Sequence, residues 1–472
     1  MRFALKCFSL DENVRPDAWV AEQLSKTREV SEVIDDQAFA LHFKYIQTYL
    51  PGQPTIELIA LIHTGESGCS FIHLSVFPFS AELVPVIQSL LPDLESIRQF
   101  TAKNHFSIFN VSAPWVLDPV YIPKPWGQEI WFTGIEIRGQ AAVRGENGNL
   151  PLPWVLSLFP QANQKPLILL KVLDPLPDDV YGDLYFELHE EKQEVYVVTH
   201  VNEQAWPDGK GVIQLGFAPK KRDEYESAEE FKKAYLNAVR AYEQVRRVLD
   251  GKLDELCRLN NFNPDAPIPV EQLKNWIKEL SQSIENKELI KEEKRLKALM
   301  NSFVNHLPLT VGDTLAIPTL VPHALQHGVR VVEFQTPVYE RKILSFAQKV
   351  LTQNHWDTES ALSIVNIDCL QIPLPEILVS NEQVKVEKIV CFDDFFVHRI
   401  NINSGSYQPD LSGYSLVMSI AGELSLMWDA HHQVVSAGEV VLLPGALANY
   451  CRFVAEGSCL FLHASPRIAD TL

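Results

Sequence analysis

Four side chains of this sequence have the types and the spacing of a metal site. Glu187, His189 and Glu194 lie close together along the chain, and His323 follows far downstream. Two imidazoles and two carboxylates form a mixed nitrogen and oxygen set that suits zinc or another divalent metal, iron and manganese included, and leaves room for water or a substrate. The competing interpretation is an ordinary hairpin with a solvated polar face and a histidine in a turn. The spacing favours the metal site.

Three of these side chains depend on the stretch 183–200. Alternation along a first strand places Glu187 and His189 on one face, and a second strand that follows a short polar turn places Glu194 on one of its faces. We therefore expect a hairpin that directs all three side chains into one cavity.

The fourth side chain depends on the stretch 312–323. Its pattern predicts a strand that ends at Pro318, followed by a turn that presents His323. The two stretches must meet in the folded chain if a metal site is to form.

The composition excludes several classes of protein. A formal net charge of −19 over 472 residues argues against nucleic acid and anionic membrane surfaces as partners. No run approaches the roughly 20 apolar residues of a membrane span. The first residues lack a small-residue cleavage site, so we expect no secretory signal. The seven cysteines are scattered without a CxxC pair, which predicts a reducing compartment, most simply the cytoplasm.

Length and patterning predict a mainly β protein with a helical insertion. A chain of 472 residues should hold two to four domains, because single cores stop growing at roughly 250–300 residues. A capping box, Ser227-x-x-Glu230, starts the helical part. The predicted segments are an N-terminal α/β module of unknown role (1–115), a metal-binding barrel (116–225 and 306–365), the helical insertion (226–305) and a C-terminal barrel (366–472).

Several stretches resemble known proteins. The pattern Glu-x-His-x4-Glu, followed by Gly-x5-Pro-x4-His, resembles the two-part metal motif of the cupin barrels. More narrowly, the strand LILLKVLD over 167–174, the stretch 312–335 and VYERK over 338–342 resemble type I mannose-6-phosphate isomerases. The resemblance spans residues 120–470 and is specific only around the proposed ligands.

The resemblance implies a bicupin fold, in which two jelly-roll β barrels accompany a helical domain. The stretch 437–449 repeats the Gly-x5-Pro-x4 frame, with Asn449 in the place of the histidine. The second barrel is therefore predicted to be degenerate and free of metal.

The resemblance also implies an activity, the interconversion of mannose 6-phosphate and fructose 6-phosphate. An aldose–ketose isomerase moves a proton between C1 and C2 through an enediol, with a divalent metal as Lewis acid and a positioned base as proton carrier. A small-molecule sugar phosphate is then the expected partner. The implied site consists of one zinc ion, with manganese or iron as alternatives, the ligands Glu187, His189, Glu194 and His323, the site-lining Lys171 and Lys192, the acid/base Glu333, and the substrate contact Arg341.

The residues themselves leave several of these roles open. Alternation allows Lys171 to face either the barrel interior or the solvent, and Lys192 lies in a polar turn where exposure is equally expected. A glutamate at position 333 of a largely apolar strand is costly unless it is paired or used. Arg341 follows a segment that is shortened relative to the family.

Some positions depart from the family pattern. Glu187 replaces a glutamine, Tyr185 replaces a small hydroxyl residue, and Glu190 and Glu191 replace a Pro-Asp pair in a shorter turn. These changes bear on metal preference and on phosphate recognition. Two alternatives follow: a cupin that binds or senses sugars without turnover, and a cupin enzyme that acts on an unphosphorylated sugar or as a dioxygenase.

Overall fold

The structure of the chain is a computed structural model. It describes residues 4–29, 37–65, 71–161, 166–368, 372–409, 413–448 and 450–467. The predicted change at Asn449 lies outside the described residues.

Strands outnumber helices in the described chain as a whole. The strands are β1 (Lys6–Ser9), β2 (Gln37–Ile46), β3 (Thr55–Thr64), β4 (Ile72–Pro78), β5 (Phe109–Asn110), β6 (Trp115–Asp118), β7 (Val120–Lys124), β8 (Gly127–Trp131), β9 (Ile135–Glu136), β10 (Gly139–Gln140), β11 (Ala142–Gly145), β12 (Gly148–Pro151), β13 (Leu169–Pro175), β14 (Phe186–Leu188), β15 (Glu194–Val201), β16 (Gly211–Phe217), β17 (Val304–Leu309), β18 (Thr314–Ile317), β19 (His323–Leu325), β20 (Val329–Gln335), β21 (Lys342–Ser345), β22 (Glu376–Ser380), β23 (Val384–Cys391), β24 (Phe395–Tyr407), β25 (Ser415–Ala421), β26 (Leu424–Trp428), β27 (His431–Val435), β28 (Val440–Leu443) and β29 (Arg452–Pro466). The helices are α1 (Pro16–Glu29), α2 (Val84–Gln88), α3 (Leu94–Lys103), α4 (Leu152–Leu156), α5 (Pro219–Arg222), α6 (Ala228–Leu259), α7 (Val270–Leu280), α8 (Ile284–Asn301), α9 (Thr358–Ile364) and α10 (Gly445–Ala448).

The described chain divides into two compact units, and the candidate site lies wholly in one of them. That unit comprises Tyr121–Ile130 and Lys171–Leu374, and the other unit takes the remaining described residues. We call the first the site unit. In the described residues, no helix has the length and apolar character needed to cross a membrane.

The site unit is built on two sheets. One has six strands in the order β18-β15-β20-β13-β8-β7, and the other has five in the order β17-β16-β19-β14-β21. Apolar side chains from both sheets share one buried cluster, which includes Tyr196 and Val331 of the first and Ile213 and Leu325 of the second. The inner faces of the two sheets therefore pack against each other around a common interior.

Helices cover the outer face of the five-stranded sheet. Phe186 and Leu188 of β14 point into a second cluster with Phe231 and Tyr235 of α6. Alternation along β14 then directs Glu187, between them, toward the interior. The helix α6 begins at the predicted capping box, since the Ser227 side chain accepts a hydrogen bond from the backbone N–H of Glu230 at 3.2 Å.

The predicted hairpin over 183–200 is wrong. The strand β14 pairs with β19 and β21, whereas β15 pairs with β18 and β20 in the other sheet. The turn between them crosses from one sheet to the other. Both strands nevertheless direct their site residues into the same interior, because each sheet turns one face toward it.

The position of His323 also differs from the prediction. It is the first residue of β19 rather than part of a turn, and it lies opposite Glu187 in the pairing of β14 with β19. Pairing across the five-stranded sheet, and not loop geometry, brings the downstream histidine to the upstream motif.

The second unit contains a five-stranded N-terminal sheet in the order β1-β2-β3-β4-β5 and a large sheet formed mainly by β22 to β29. The strands β6, β11 and β12 join that large sheet through the pairing of β6 with β28. The predicted metal-binding barrel includes β11 and β12, whereas in the structure both strands belong to the large sheet. Chain order does not decide which sheet edge a short strand joins. The rest of the four-segment division stays a prediction.

Candidate metal centre

Three of the four predicted ligands form a tight buried group. One ligand atom each from His189, Glu194 and His323 lies within 4.8 Å of the others. The closest pair is His323 Nε2 and Glu194 Oε1 at 2.6 Å, and His189 Nε2 lies 3.7 Å from the same oxygen. The three side chains are only 1–3% exposed.

Backbone carbonyls fix which nitrogen of each imidazole is available. His189 Nδ1 lies 2.7 Å from the carbonyl oxygen of Glu340, and His323 Nδ1 lies 3.2 Å from that of Val321. A carbonyl oxygen can only accept, so each Nδ1 donates and carries the proton. The lone pairs of both Nε2 atoms are then directed toward Glu194.

This arrangement fits a divalent metal. His189 Nε2 is buried and has no hydrogen-bond partner among the described residues. A buried polar atom without a partner costs about 1–3 kcal/mol. His323 Nε2 lies only 2.6 Å from Glu194 Oε1, and in a neutral His323 with its proton on Nδ1 both of these atoms are acceptors. A cation between them would satisfy all of these atoms, and zinc prefers such imidazole and carboxylate ligands.

Electrostatics hold Glu194 and His189 in the protonation states that metal binding requires. Burial alone would raise the pKa of Glu194, but the Lys192 ammonium, 2.7 Å from Oε2, holds that pKa well below its usual range. Burial, assisted by Lys192, lowers the pKa of His189 well below its usual value. A carboxylate and a neutral imidazole are the forms that bind metal ions.

Glu187 lies beside the tight group and does not belong to it. Its Oε1 is 3.9 Å from His189 Nε2, and its Oε2 is 3.5 Å from Arg341 Nη1. The assignment of Glu187 as the fourth metal ligand stays a prediction, and so does metal binding by His189, Glu194 and His323. The structure shows that all four side chains face one interior.

A chain of ion pairs adjoins the three-residue group. Lys171 Nζ lies 3.2 Å from Glu333 Oε2 and 3.8 Å from Glu129 Oε2, and Lys124 Nζ lies 3.0 Å from Glu129 Oε1. Each of these four side chains is no more than 10% exposed. Of the two orientations open to Lys171, the structure therefore shows the one that faces the interior.

The environment of Glu333 favours a group that exchanges protons near neutral pH. The pKa of Glu333 is raised to about 8, because burial and the neighbouring Glu194 charge together outweigh the opposing effect of Lys171. Burial would lower the pKa of Lys171, but Glu129 and Glu333 hold it above its usual range. A protonated lysine thus lies beside a carboxyl group that can hold or release a proton.

Lys192 and Arg341 both face the site. Lys192 lies in a turn as predicted, but it is buried and paired with Glu194. The Arg341 guanidinium lies over the Tyr185 ring at 4.8 Å and donates through Nη2 to Thr352 Oγ1 at 2.7 Å. Arg341 is thus held by an aromatic ring, a hydroxyl and a carboxylate.

Sequence reasoning missed three residues near this site. Lys124 and Glu129 flank the Trp-Gly pair at 126–127, and Glu129 is a buried charge on β8. The sequence signal that could have identified Glu129 was a charged residue within a short, otherwise mostly apolar strand. Glu340 offered no signal, because its carboxylate binds backbone N–H groups of the turn and its carbonyl binds the His189 ring.

Comparison with known proteins supports the fold. No family model matches the chain, and no curated protein sequence matches it. The structure is similar to mannose 6-phosphate isomerase from Bacillus subtilis, with a TM-score of 0.50 and 14% identity over 75% of this chain and 99% of the other. It is similar to a variant of phosphomannose isomerase from Salmonella typhimurium, with a TM-score of 0.52 and 12% identity over 75% of this chain and 100% of the other. At these identities the likeness shows a mainly β, cupin-like fold of the kind those isomerases have.

Proposed function

We propose that the protein is a divalent-metal-dependent aldose–ketose isomerase of the mannose-6-phosphate isomerase type. One observation carries the proposal: the buried group of His189, Glu194 and His323 lies directly beside the Lys171–Glu333 pair. A site of this class needs a metal and a proton-exchanging side chain within one cavity.

Zinc is the proposed metal, with Glu187 as its fourth ligand. Two imidazoles with carboxylate oxygens are a common zinc ligand set, and manganese or iron would also accept these donors. A divalent cation held here would polarise the carbonyl and hydroxyl oxygens of the sugar.

The chain's own residues would handle the proton. Glu333 would take the proton from one sugar carbon and return it to the next, because its pKa of about 8 allows both states near neutrality. Lys171 would hold the Glu333 carboxyl in place and favour its charged form after proton release. Lys192 and Arg341 would bind the oxygens of the substrate at the edge of the site.

The substrate pair that the resemblance implies is mannose 6-phosphate and fructose 6-phosphate, in the cytoplasm. The test is to load the purified chain with zinc, supply mannose 6-phosphate and follow fructose 6-phosphate by NMR. Turnover that disappears in the His323→Ala variant is the expected result. A wild-type chain that binds zinc and converts no hexose or hexose phosphate would overturn the proposal and favour a cupin that binds or senses sugars without turnover.

A second candidate substrate is an unphosphorylated sugar. Each cation at the site faces a carboxylate: Lys124 and Glu129, Lys171 and Glu333, Lys192 and Glu194, Arg341 and Glu187. A phosphate dianion would have to compete with these pairs for its counter-charge, whereas a neutral sugar would not. Supplying mannose and mannose 6-phosphate side by side distinguishes the two candidates.

A further inference from the structure

Glu340 accepts hydrogen bonds from four consecutive residues, 189–192, in the turn that leads from β14 to β15. Its Oε1 accepts the backbone N–H groups of Glu190 at 2.8 Å, Glu191 at 3.0 Å and Lys192 at 3.0 Å. Its carbonyl oxygen accepts from His189 Nδ1 at 2.7 Å. One residue thus satisfies every one of these donors from a position 148–151 residues away in the chain.

The turn needs such a partner because it crosses between sheets. The strand β14 ends at Leu188 in the five-stranded sheet, and β15 starts at Glu194 in the six-stranded sheet. Residues 190–192 therefore have no neighbouring strand to accept their N–H groups. Three successive N–H groups that converge on one carboxylate oxygen form an anion-binding concavity. Hydrogen bonds to a charged acceptor are stronger than those to a neutral one.

The two ends of this turn carry groups of the candidate metal centre. The Glu340 carbonyl fixes the His189 tautomer and ring orientation that leave Nε2 available. The Glu340 carboxylate anchors the backbone of Lys192, whose ammonium lies 2.7 Å from Glu194 Oε2. The backbone of His189 is also tied to the loop before His323, since its carbonyl accepts from Leu320 N–H at 2.7 Å.

We propose that Glu340 is a positioning residue of the metal centre, which aligns His189 and Lys192 through its hydrogen bonds to residues 189–192. The inference rests on the proposed metal site, but not on isomerase turnover. A carboxylate that merely capped a surface turn would affect folding stability and leave metal coordination unchanged.

The test compares three substitutions of Glu340 in the full chain, with Co²⁺ as the probe. All three variants keep the backbone carbonyl that binds His189 and change only the side chain that holds residues 190–192. Glu340→Ala removes the carboxylate acceptor, Glu340→Gln keeps an acceptor oxygen at the same reach without the charge, and Glu340→Asp keeps the charge but withdraws the oxygen by one methylene. Glu191→Ala is the matched control, because it removes an exposed carboxylate from the same turn and leaves the N–H groups intact. The readouts are Co²⁺ affinity by calorimetry and the visible absorption spectrum of the bound ion.

The expected result is that Glu340→Ala weakens Co²⁺ binding by about 10–100-fold and alters the spectrum, as loss of a group that orients a ligand does. Glu340→Gln should restore binding better than Glu340→Asp, and Glu191→Ala should match the wild type. If Glu340→Ala does not fold, the two other variants provide the test. Weaker Co²⁺ binding by Glu340→Asp than by Glu340→Gln supports the positioning role, and equal binding contradicts it.

Different outcomes overturn the two proposals separately. Glu340 variants that fold and show wild-type Co²⁺ affinity and spectrum would overturn the positioning role alone. A wild-type chain that binds Co²⁺ and isomerises no sugar would overturn the proposed function alone. A wild-type chain that binds no Co²⁺ would overturn both.

Discussion

The Lys171 ammonium lies 3.2 Å from the Glu333 carboxylate in the interior of the site unit, where both side chains are almost fully buried. The pair adjoins Glu194, so a titratable carboxyl group and a candidate metal ligand belong to one network. Burial destabilises the charged form of Glu333 more than the Lys171 ammonium stabilises it, which explains the raised pKa. A carboxyl group placed in this way is suited to proton transfer.

Glu333→Gln should abolish most of the isomerase activity while the metal is retained. The amide keeps the shape and a hydrogen-bonding partner for Lys171, but it cannot carry a proton. General acid–base groups contribute about 10²–10⁴-fold to rates, so kcat should fall by that factor with little change in zinc content. The measurements are steady-state kinetics and metal analysis of the same preparations. A variant with wild-type kcat would remove Glu333 from the proposed chemistry.

His323→Ala should lose the metal and keep the fold. The substitution removes one of the three closely spaced ligand atoms and leaves only His189 and Glu194 in the tight group, with Glu187 beside it, so the remaining set should hold a cation much more weakly. Metal analysis after dialysis should fall from about one ion per chain to near none, with an unchanged far-ultraviolet circular dichroism spectrum. His200→Ala is the control, because His200 is exposed near the end of β15 and does not belong to the group of three ligand atoms. Equal metal content in the two variants would contradict the site.

The sequence was sufficient to predict that the site residues face the interior, but it was not sufficient to predict how their strands pair. Alternation correctly set Glu187 apart from Phe186 and Leu188, because side-chain direction is a local property of a strand. The sheet to which a strand belongs depends on partners that are distant in the chain. A short turn after Leu188 is compatible with both a hairpin and a crossing between sheets, so the hairpin was predicted in error.

Glu340 illustrates the limit of site prediction. Its contribution comes from one carboxylate oxygen and one carbonyl that meet backbone N–H groups and an imidazole about 150 residues upstream. Backbone donors have no residue signature in a sequence. Glu129 was missed for a related reason, since its partners Lys124 and Lys171 lie on two different strands.

Glu187→Gln should shift ligand preference toward phosphorylated sugars. The substitution keeps an oxygen donor but removes the carboxylate that lies 3.5 Å from Arg341, so the guanidinium gains freedom to pair with phosphate. We expect the Kd ratio of fructose to fructose 6-phosphate to rise by about tenfold, equivalent to about 1.4 kcal/mol. Calorimetry on zinc-loaded protein measures both constants without requiring turnover.

The control for this prediction is Glu359→Gln. It removes a carboxylate from the exposed pair with Arg240, where the Nη2–Oε2 distance is 2.8 Å. The ratio should stay at the wild-type value in this variant. If Glu187→Gln leaves the ratio unchanged as well, pairing with Glu187 does not restrict Arg341.

Acid should destabilise the second unit through His463. This side chain is buried in β29 and contacts Ser415 Oγ through Nε2 at 3.0 Å. Burial, with a smaller contribution from the His398 charge, lowers the pKa of His463 to about 3 from an ordinary value of 6.5. Between those two values the unfolded chain binds a proton that the folded chain does not, so the free energy of unfolding decreases as pH falls.

The measurement is urea unfolding of wild type and His463→Gln at pH 7, 6, 5 and 4, in the presence of a chelator so that metal release does not contribute. Below pH 6 the wild type should lose stability faster than the variant, by an amount that approaches about 1.4 kcal/mol per pH unit. His355→Gln is the matched control, because His355 is 72% exposed and its removal should leave the wild-type slope. Parallel stability curves for wild type and His463→Gln would show that His463 is protonated in the folded chain or that it titrates equally in both states.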